Sequence, residues 1–431
     1  MAWGLAALLV LPALWLFILL WFAGPARAAW REPVLRHPVL IIESDDWGPG
    51  PPDHAGALDQ LAACLGRHRD GTGRAPVMTL GLTLSLPDSE TIAAGDLSAY
   101  HARPLTDPAY ADILAALRRG IQAGVFAPQL HGMAHYWPAT LLAAARRDPA
   151  VRAWVLAGPG QETEALPSAL QSRWVDAGVL PSRPLPVADI AAAVAEEAGL
   201  YRAVFGAPPA VAVPPTFIWT APVEAAWAAQ GVNTIVTPGH RCTGRDVAGQ
   251  PHCEAAPLHN GQAGAGGVIY LVRDRYFEPA RGHRAAAGLE ALAEKTRQGR
   301  PCLLETHRFN FTGPRRAEAL AELDKLLALA LARFPGVRFA SPAELAGHYR
   351  GRVGGAPGPG KTSEPPPVGS KPFLGRPGER PGDWISTGLG QRLDAWAARM
   401  ARVPRFTRLA RLSGLELVLA LLQKPVGHAW P

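Results

Sequence analysis

Short apolar runs alternate with longer stretches of helical periodicity over most of the chain. The runs are Val39 to Ser44, Pro76 to Leu82, Val125 to Leu130, Ala210 to Val213, Thr234 to Thr237, Val268 to Val272, Cys302 to Thr306 and Val337 to Ala340. Between them, Ala111 to Ala123, Val187 to Phe205, Pro222 to Ala229, His283 to Gln298, Pro314 to Arg333 and Pro342 to Tyr349 read as helices. Strand-helix alternation on this scale predicts a parallel sheet with crossover helices, and the number of units suits an α/β barrel. In such barrels function collects where the strands end. Residues 139–186 interrupt the rhythm and are expected to form an inserted loop or helical excursion.

Both ends of the chain depart from this pattern. The first thirty residues, "MAWGLAALLVLPALWLFILLWFAGPARAAW", carry about twenty apolar residues in a run, enough at ~1.5 Å each to cross a ~30 Å hydrocarbon layer. Residues 1–28 are therefore read as a transmembrane anchor or signal segment. Ala26-Arg27-Ala28 resembles a small-residue cleavage site. The run is longer than a usual signal core and lacks a basic start, which favours an uncleaved anchor. Arg27 and Arg31 follow the span, an arrangement that by the positive-inside tendency would leave the domain cytoplasmic. A barrel domain is expected over 36–350, a Pro/Gly-rich linker over 351–382, and a basic amphipathic helical tail over 383–431. That tail, with Arg392, Arg399, Arg402, Arg405, Arg408 and Arg411 among Trp396, Met400, Phe406, Leu409 and Leu412, suits either a membrane surface or a helical cap.

Composition changes this picture at two points. The formal net charge is +7, yet residues 351–431 alone hold 12 Lys+Arg against 5 Asp+Glu. The whole excess sits in the tail, so a basic nucleic-acid groove in the main domain is excluded and no nucleic-acid partner is expected. Four cysteines lack metal-site spacing. Cys242 and Cys253 flank a Gly-containing loop that a disulfide could close, and Cys64 and Cys302 read as packing residues.

Three of the apolar runs end in ionisable residues, which a core does not need. Val39 to Ile42 leads into Glu43, Ser44, Asp45 and Asp46. Val125 to Leu130 leads into His131 and His135, a pair that would share a face if the chain turned helical there and that suits a divalent metal. "CLLETHRFNF" places Glu305, His307, Arg308 and Asn310 at a third end. A fourth run, "AVAVPPTFIWT", ends in Pro214, Pro215, Thr216, Phe217 and Trp219, rigid and aromatic enough to form a wall for a sugar ring or simply to pack. Tyr136 and Trp137 extend the aromatic set.

The order of these clusters, closed by "VRFASPAEL", resembles the polysaccharide deacetylase family, also called carbohydrate esterase family 4, over roughly Val39 to Tyr349. The resemblance implies a distorted (β/α) barrel and removal of acetyl groups from polysaccharides with a divalent metal, usually zinc. Carried over by position, it implies Asp45 as catalytic base, Asp46, His131 and His135 as metal ligands, and His307 as general acid. It also implies substrate contacts at Pro215, Thr216, Phe217, Trp219 and Tyr136, with backbone N–H groups near Thr216 and Phe217 as an oxyanion hole. Three protein ligands leave a position open for water, whose pKa a metal lowers toward ~7. Asp274 is the expected carboxylate partner of His307.

Two departures stand out. Val213 occupies the place where the family carries an arginine that contacts the base, so the orientation of Asp45 depends on whether Arg241, Arg273 or Arg308 reaches it from another strand. Glu43, Ser44 and Trp47 replace the usual neighbours of the acidic pair, suggesting a divergent subgroup. The resulting expectation is a metal-dependent deacetylase, N-acetyl groups favoured, acting on an acetylated polysaccharide or oligosaccharide. It would be anchored at the cell membrane with its domain facing the periplasm or exterior, a reading that overrides the positive-inside tendency of Arg27 and Arg31. The rivals are a non-catalytic glycan-binding or assembly protein, favoured by the missing arginine, and an amidohydrolase for a non-sugar C–N bond.

Overall fold

The computed structural model of the chain describes residues 2–158, 162–353 and 379–422. Most of the expected linker and the last residues of the tail, 354–378 and 423–431, lie outside the described residues. One parallel sheet organises the rest. Its strands are β1 (Val39–Trp47), β2 (Met78–Leu82), β3 (Phe126–Leu130), β4 (Val211–Ala212), β5 (Thr234–Thr237), β6 (Ile269–Val272), β7 (Arg275–Tyr276), β8 (Cys302–His307) and β9 (Arg338–Phe339). Each of the eight apolar runs read from the sequence holds one of them, and β7 is the addition.

The strand order is β6-β5-β4-β3-β2-β1-β8-β7, with β9 also on β1, and every pairing is parallel. The two edges, β6 and β7, are joined by Arg273 and Asp274 alone. Three peptide units reach at most about 11 Å, so the sheet must curl until its edges almost meet. The result is a distorted barrel with Arg273 at its seam.

Both faces of this sheet are covered, which is why β1 is buried at every position and can be continuously apolar until its end. The helices of two turns or more are α1 (Ala2–Trp21), α2 (Ala23–Arg31), α3 (Asp53–Leu65), α4 (Ala111–Gln122), α5 (Pro138–Ala145), α6 (Pro149–Leu156) and α7 (Val187–Phe205). After them come α8 (Ala221–Ala229), α9 (Ala285–Arg297), α10 (Arg316–Arg333), α11 (Pro342–Val353), α12 (Leu389–Met400), α13 (Pro404–Leu412) and α14 (Leu415–Leu422). Helix α4 illustrates the fit: Ile113, Ala116, Leu117 and Gly120 form its buried stripe at helical spacing. A Cβ on Gly120 would lie 2.0 Å from the Phe126 ring, so only glycine lets α4 approach β3.

The inserted segment has its own core. Leu141, Leu142, Val151, Val155, Leu166 and Leu170 pack with Ile92, Leu97 and Tyr136. At the opposite end of the barrel, Ile18, Phe22 and Ala29 pack with Met400, Phe406, Ala410 and Leu415, so the two ends of the chain share an apolar cluster. Arg399 secures it, donating to the carbonyls of Ala29, Glu32, Pro33 and Gln298. Among the described residues no single helix is long and apolar enough to cross a membrane; the pair Val10–Trp21 and Ala23–Arg31, bent by 69°, is by length and composition.

Candidate active site

Neighbouring residues of a strand point to opposite faces, so Asp45 and Asp46 need a device to reach one site. β1 supplies it. Its register with β2 slips between Ser44 and Trp47, and Asp46 adopts the left-handed conformation, φ 70°. Such a bulge re-aims the side chains that follow it. The indole N–H of Trp47 donates to Ser44 Oγ at 2.8 Å across the bend. Gly81 on β2 leaves the space: a Cβ there would stand 2.3 Å from Asp45 Oδ1. On the other side, register with β8 sets Asp45 opposite His307.

The arginine that takes the place left by Val213 is Arg273, at the barrel seam. Its Nη2 lies 2.5 Å from Asp45 Oδ2 and its Nη1 3.2 Å from Oδ1, a bidentate pair. Glu43 and Glu305 also face it, at 3.4 and 3.3 Å. One buried cation cannot keep three carboxylates ionised equally. Burial pushes Glu43 up to about 7 and Glu305 upward. For Asp45 burial acts the same way and is the largest influence, but Arg273, His131 and His307 together outweigh it and hold the carboxyl below its usual range. Arg308 contributes only through the backbone, donating its N–H to the Asp45 carbonyl at 3.0 Å, and Arg241 pairs with Glu254 instead.

His307 does not meet the expected partner. Asp274 is taken by Lys295 at 2.6 Å, and Glu278 Oε1 lies 2.5 Å from His307 Nδ1. The reason is the strand alternation around β7, which turns Asp274 outward and leaves the following bend to bring Glu278 back. Burial would lower the His307 pKa, but Glu278, Asp46 and Asp45 hold it up to about 9. The imidazolium is therefore present at neutral pH.

His131 and His135 are brought together by a bend rather than the helical turn considered from their spacing. Residues 131–137 contain no helix, and Gly132 takes φ 97°, reversing the chain. His131 Nδ1 donates to the Val213 carbonyl at 2.8 Å, which leaves its Nε2 free to ligate. The two Nε2 atoms are 3.1 Å apart, and Asp46 Oδ1 lies 3.4 Å from one and 3.5 Å from the other. These separations match the edges of a zinc tetrahedron with ~2.0–2.1 Å bonds, about 3.3 Å. Asp46 Oδ1 and His135 Nδ1 are buried with no hydrogen-bond partner. Burial pushes His135 down to about 4, leaving a neutral imidazole. The donor set fits a divalent ion. A second trio, Asp45, Glu305 and His307, also converges, but the Arg273 guanidinium already lies against its two carboxylates and would repel a cation.

The aromatic wall is only partly as expected. Trp219 and Tyr136 are buried, at 0% and 2% exposure, as is Pro215. The Trp219 indole donates to Glu224 and the Tyr136 hydroxyl meets Tyr100, so neither ring is open to a sugar. Buried Glu224 and half-buried Tyr100, polar groups needing partners, account for this. Thr216 and Phe217 remain partly exposed with left-handed backbones, and Arg273 lies 5.3 Å from the centre of the Phe217 ring. The Phe217 N–H, however, donates to the Pro214 carbonyl. Trp137 instead lines a cavity of about 590 Å³ with Tyr100, Arg146, Arg173 and Glu196. Cys242 and Cys253, opposite each other on a short two-stranded sheet, form a disulfide, and Cys64 and Cys302 are free and buried.

One further group was not signalled by any pattern. Glu164, in the inserted segment, has both carboxylate oxygens buried and unpartnered, and burial together with Asp46 pushes it up to about 7.

No family model matches the chain, and no curated protein does. Among solved structures, it is similar to a putative polysaccharide deacetylase from Mycobacterium smegmatis, with 13% identity and TM-score 0.37 over 78% of this chain and 98% of the other. A family 4 carbohydrate esterase from Streptomyces lividans matches at 12% identity and TM-score 0.35, over 72% and 95%. A 4-alpha-glucanotransferase from Thermococcus litoralis reaches the same TM-score of 0.35 at 11% identity, over 71% and 39%, so these likenesses do not choose an activity.

Proposed function

We propose that the chain is a metal-dependent deacetylase that hydrolyses acetyl groups, N-acetyl in the first place, on an envelope glycan. The observation that carries this reading is the division of charge around Asp45. Arg273 keeps it anionic beside a three-donor cluster that fits a metal, while His307, held protonated by Glu278, stands opposite it in register.

Asp46, His131 and His135 would hold the ion, whose chemistry when bound is to activate water and polarise the acetyl carbonyl. Asp45 accepts the proton that the attacking water gives up as the new C–O bond forms. His307 donates its proton to the leaving nitrogen as the C–N bond breaks. Acetate and a free amine result, and a proton passes through solvent from Asp45 to His307 to restore both. Water and amide supply all the atoms.

Non-catalytic binding drew its support from the missing arginine, and Arg273 removes that support. Trp137 and the partly exposed Phe217 are among the aromatics available to a sugar. We also assign the chain to the cell membrane, with the barrel outside the cytoplasm. The apolar α1 and the Cys242–Cys253 disulfide, which persists in oxidising compartments, support this placement. Exposed Phe17, Leu20, Trp21 and Leu412, with Arg405, Arg408 and Arg411 nearby in sequence, would suit a lipid surface.

The test separates the roles. Asp45→Asn should keep one zinc per chain and lose turnover, whereas His135→Ala should lose both. Turnover intact in Asp45→Asn would remove the assigned base.

A further inference from the structure

The inserted segment does more than cover the barrel mouth. Its one-turn 3-10 helix Thr163–Ala165 is held on both sides: Thr163 and Leu166 are buried, and the Trp154 indole donates to the Glu162 carbonyl at 2.9 Å. Further along, the Gln171 carbonyl accepts from Thr216 Oγ1 at 3.2 Å, tying the segment to the candidate site. The turn so fixed directs Glu164 inward, where its carboxylate comes within hydrogen-bonding reach of Asp46.

Two carboxylates in contact, shielded from water, repel each other unless a proton or a cation lies between them. Among the described residues no other side chain or backbone group donates to the pair. Both Glu164 oxygens lack a hydrogen-bond partner, and so does Asp46 Oδ1. Arg308 is the cation whose charge reaches Glu164, yet no ion pair joins them within 4 Å among the described residues. Glu164 lies outside the tight cluster of Asp46, His131 and His135, on its Asp46 side.

We propose that Glu164 is a fourth carboxylate arm of the metal site, contributed by the insertion and drawn onto the divalent ion when it binds. The inference rests on the reading of Asp46, His131 and His135 as the metal site. It assigns the insertion a chemical part: an anionic oxygen that would join Asp46 in holding the ion and that an acyl oxygen or acetate would compete with.

The experiment uses the full chain, stripped of metal, with Zn²⁺ titrated against a chromophoric chelator and Co²⁺ read by its visible absorption. Glu164→Ala and Glu164→Gln should bind Zn²⁺ about tenfold or more weakly, within the range for groups supporting a metal site. Their Co²⁺ bands should shift in position and intensity, and acetate should perturb the Co²⁺ spectrum of Glu164→Ala at lower concentration than that of the unmodified chain. Glu164→Gln keeps the shape of the side chain and carries the test if the alanine variant fails to fold. Zn²⁺ affinity within twofold of the unmodified chain, with unchanged Co²⁺ spectra, would overturn the proposal. His135→Ala run beside them separates the two failures: retained zinc in that variant would defeat the metal-site reading itself.

Discussion

Two buried charge clusters sit at opposite ends of the barrel, and they are built differently. At the end where the strands begin, Glu32 is bound by Arg300 at 2.5 Å, by Asn260 at 2.8 Å and by Arg399 at 3.8 Å, while Arg399 spends its other donors on backbone carbonyls. Although burial opposes it, Arg399 and Arg300 hold Glu32 down to about 2. At the end where the strands stop, Asp46 Oδ1 and both Glu164 oxygens have no partner. A buried network with its bonds made is a fastening, whereas one with converging vacant acceptors is waiting for something the chain does not contain. The Arg273 cluster lies beside the second set and shares both characters, since Asp45 is bound through both oxygens while Arg273 Nε and Glu43 Oε1 have no hydrogen-bond partner and three carboxylates compete for one guanidinium.

That contrast can be broken most severely at Arg273. Arg273→Met removes the cation that favours ionised Asp45, and turnover should fall by about 10²–10⁴, the range for general acid–base groups, with zinc still bound. Equal activity in steady-state assays would mean that Asp45 is oriented by something else. Arg399→Met should do the reverse. Leaving Glu32 short of a partner should cost about 3–5 kcal/mol of stability in urea unfolding, with zinc affinity unchanged. Loss of zinc in the folded variant would erase the division between the two ends.

A smaller effect sharpens the acid's assignment. His307 must be protonated to donate, so activity should fall as pH rises through about 9. Glu278→Gln should move that fall toward the ordinary histidine value near ~6.5 in a pH–rate profile. The same group carries a stability contribution that is full below ~6.5 and lost as pH rises through about 9, because its folded pKa is raised. Glu32 has the opposite sign: its contribution is present above ~4.5 and fades only as pH falls toward about 2. Smallest of all, Cys253→Ser should lower the melting temperature by a few degrees without changing turnover, because its loop is short and meets the site only through the backbone pairing of Cys242 with Ile218 and Trp219.

Much of this molecule could be read from its sequence where periodicity or strand position carried the message. Continuous apolar runs ending in charge located Asp45, Asp46, His131 and His307, because a parallel strand buried on both faces has no other reason to finish that way. What could not be read depended on geometry between distant segments. Arg273 was one of three candidates for Asp45, and only the two-residue link between β6 and β7 puts it at the seam. Glu278 follows a bend with no repeat of its own, so the nearer Asp274 was the natural expectation. Trp219 and Tyr136 look like binding aromatics in one dimension, yet Glu224 and Tyr100 engage them inside. Glu164 lies in a segment whose irregularity hides which side chains turn inward.

The most direct test of the central claim is acetate release from a panel of N-acetylated oligosaccharides by the full chain, stripped of metal and then given zinc. The account predicts no release before zinc and stoichiometric acetate and amine after it. No release with one zinc bound per chain, across the panel, would contradict it.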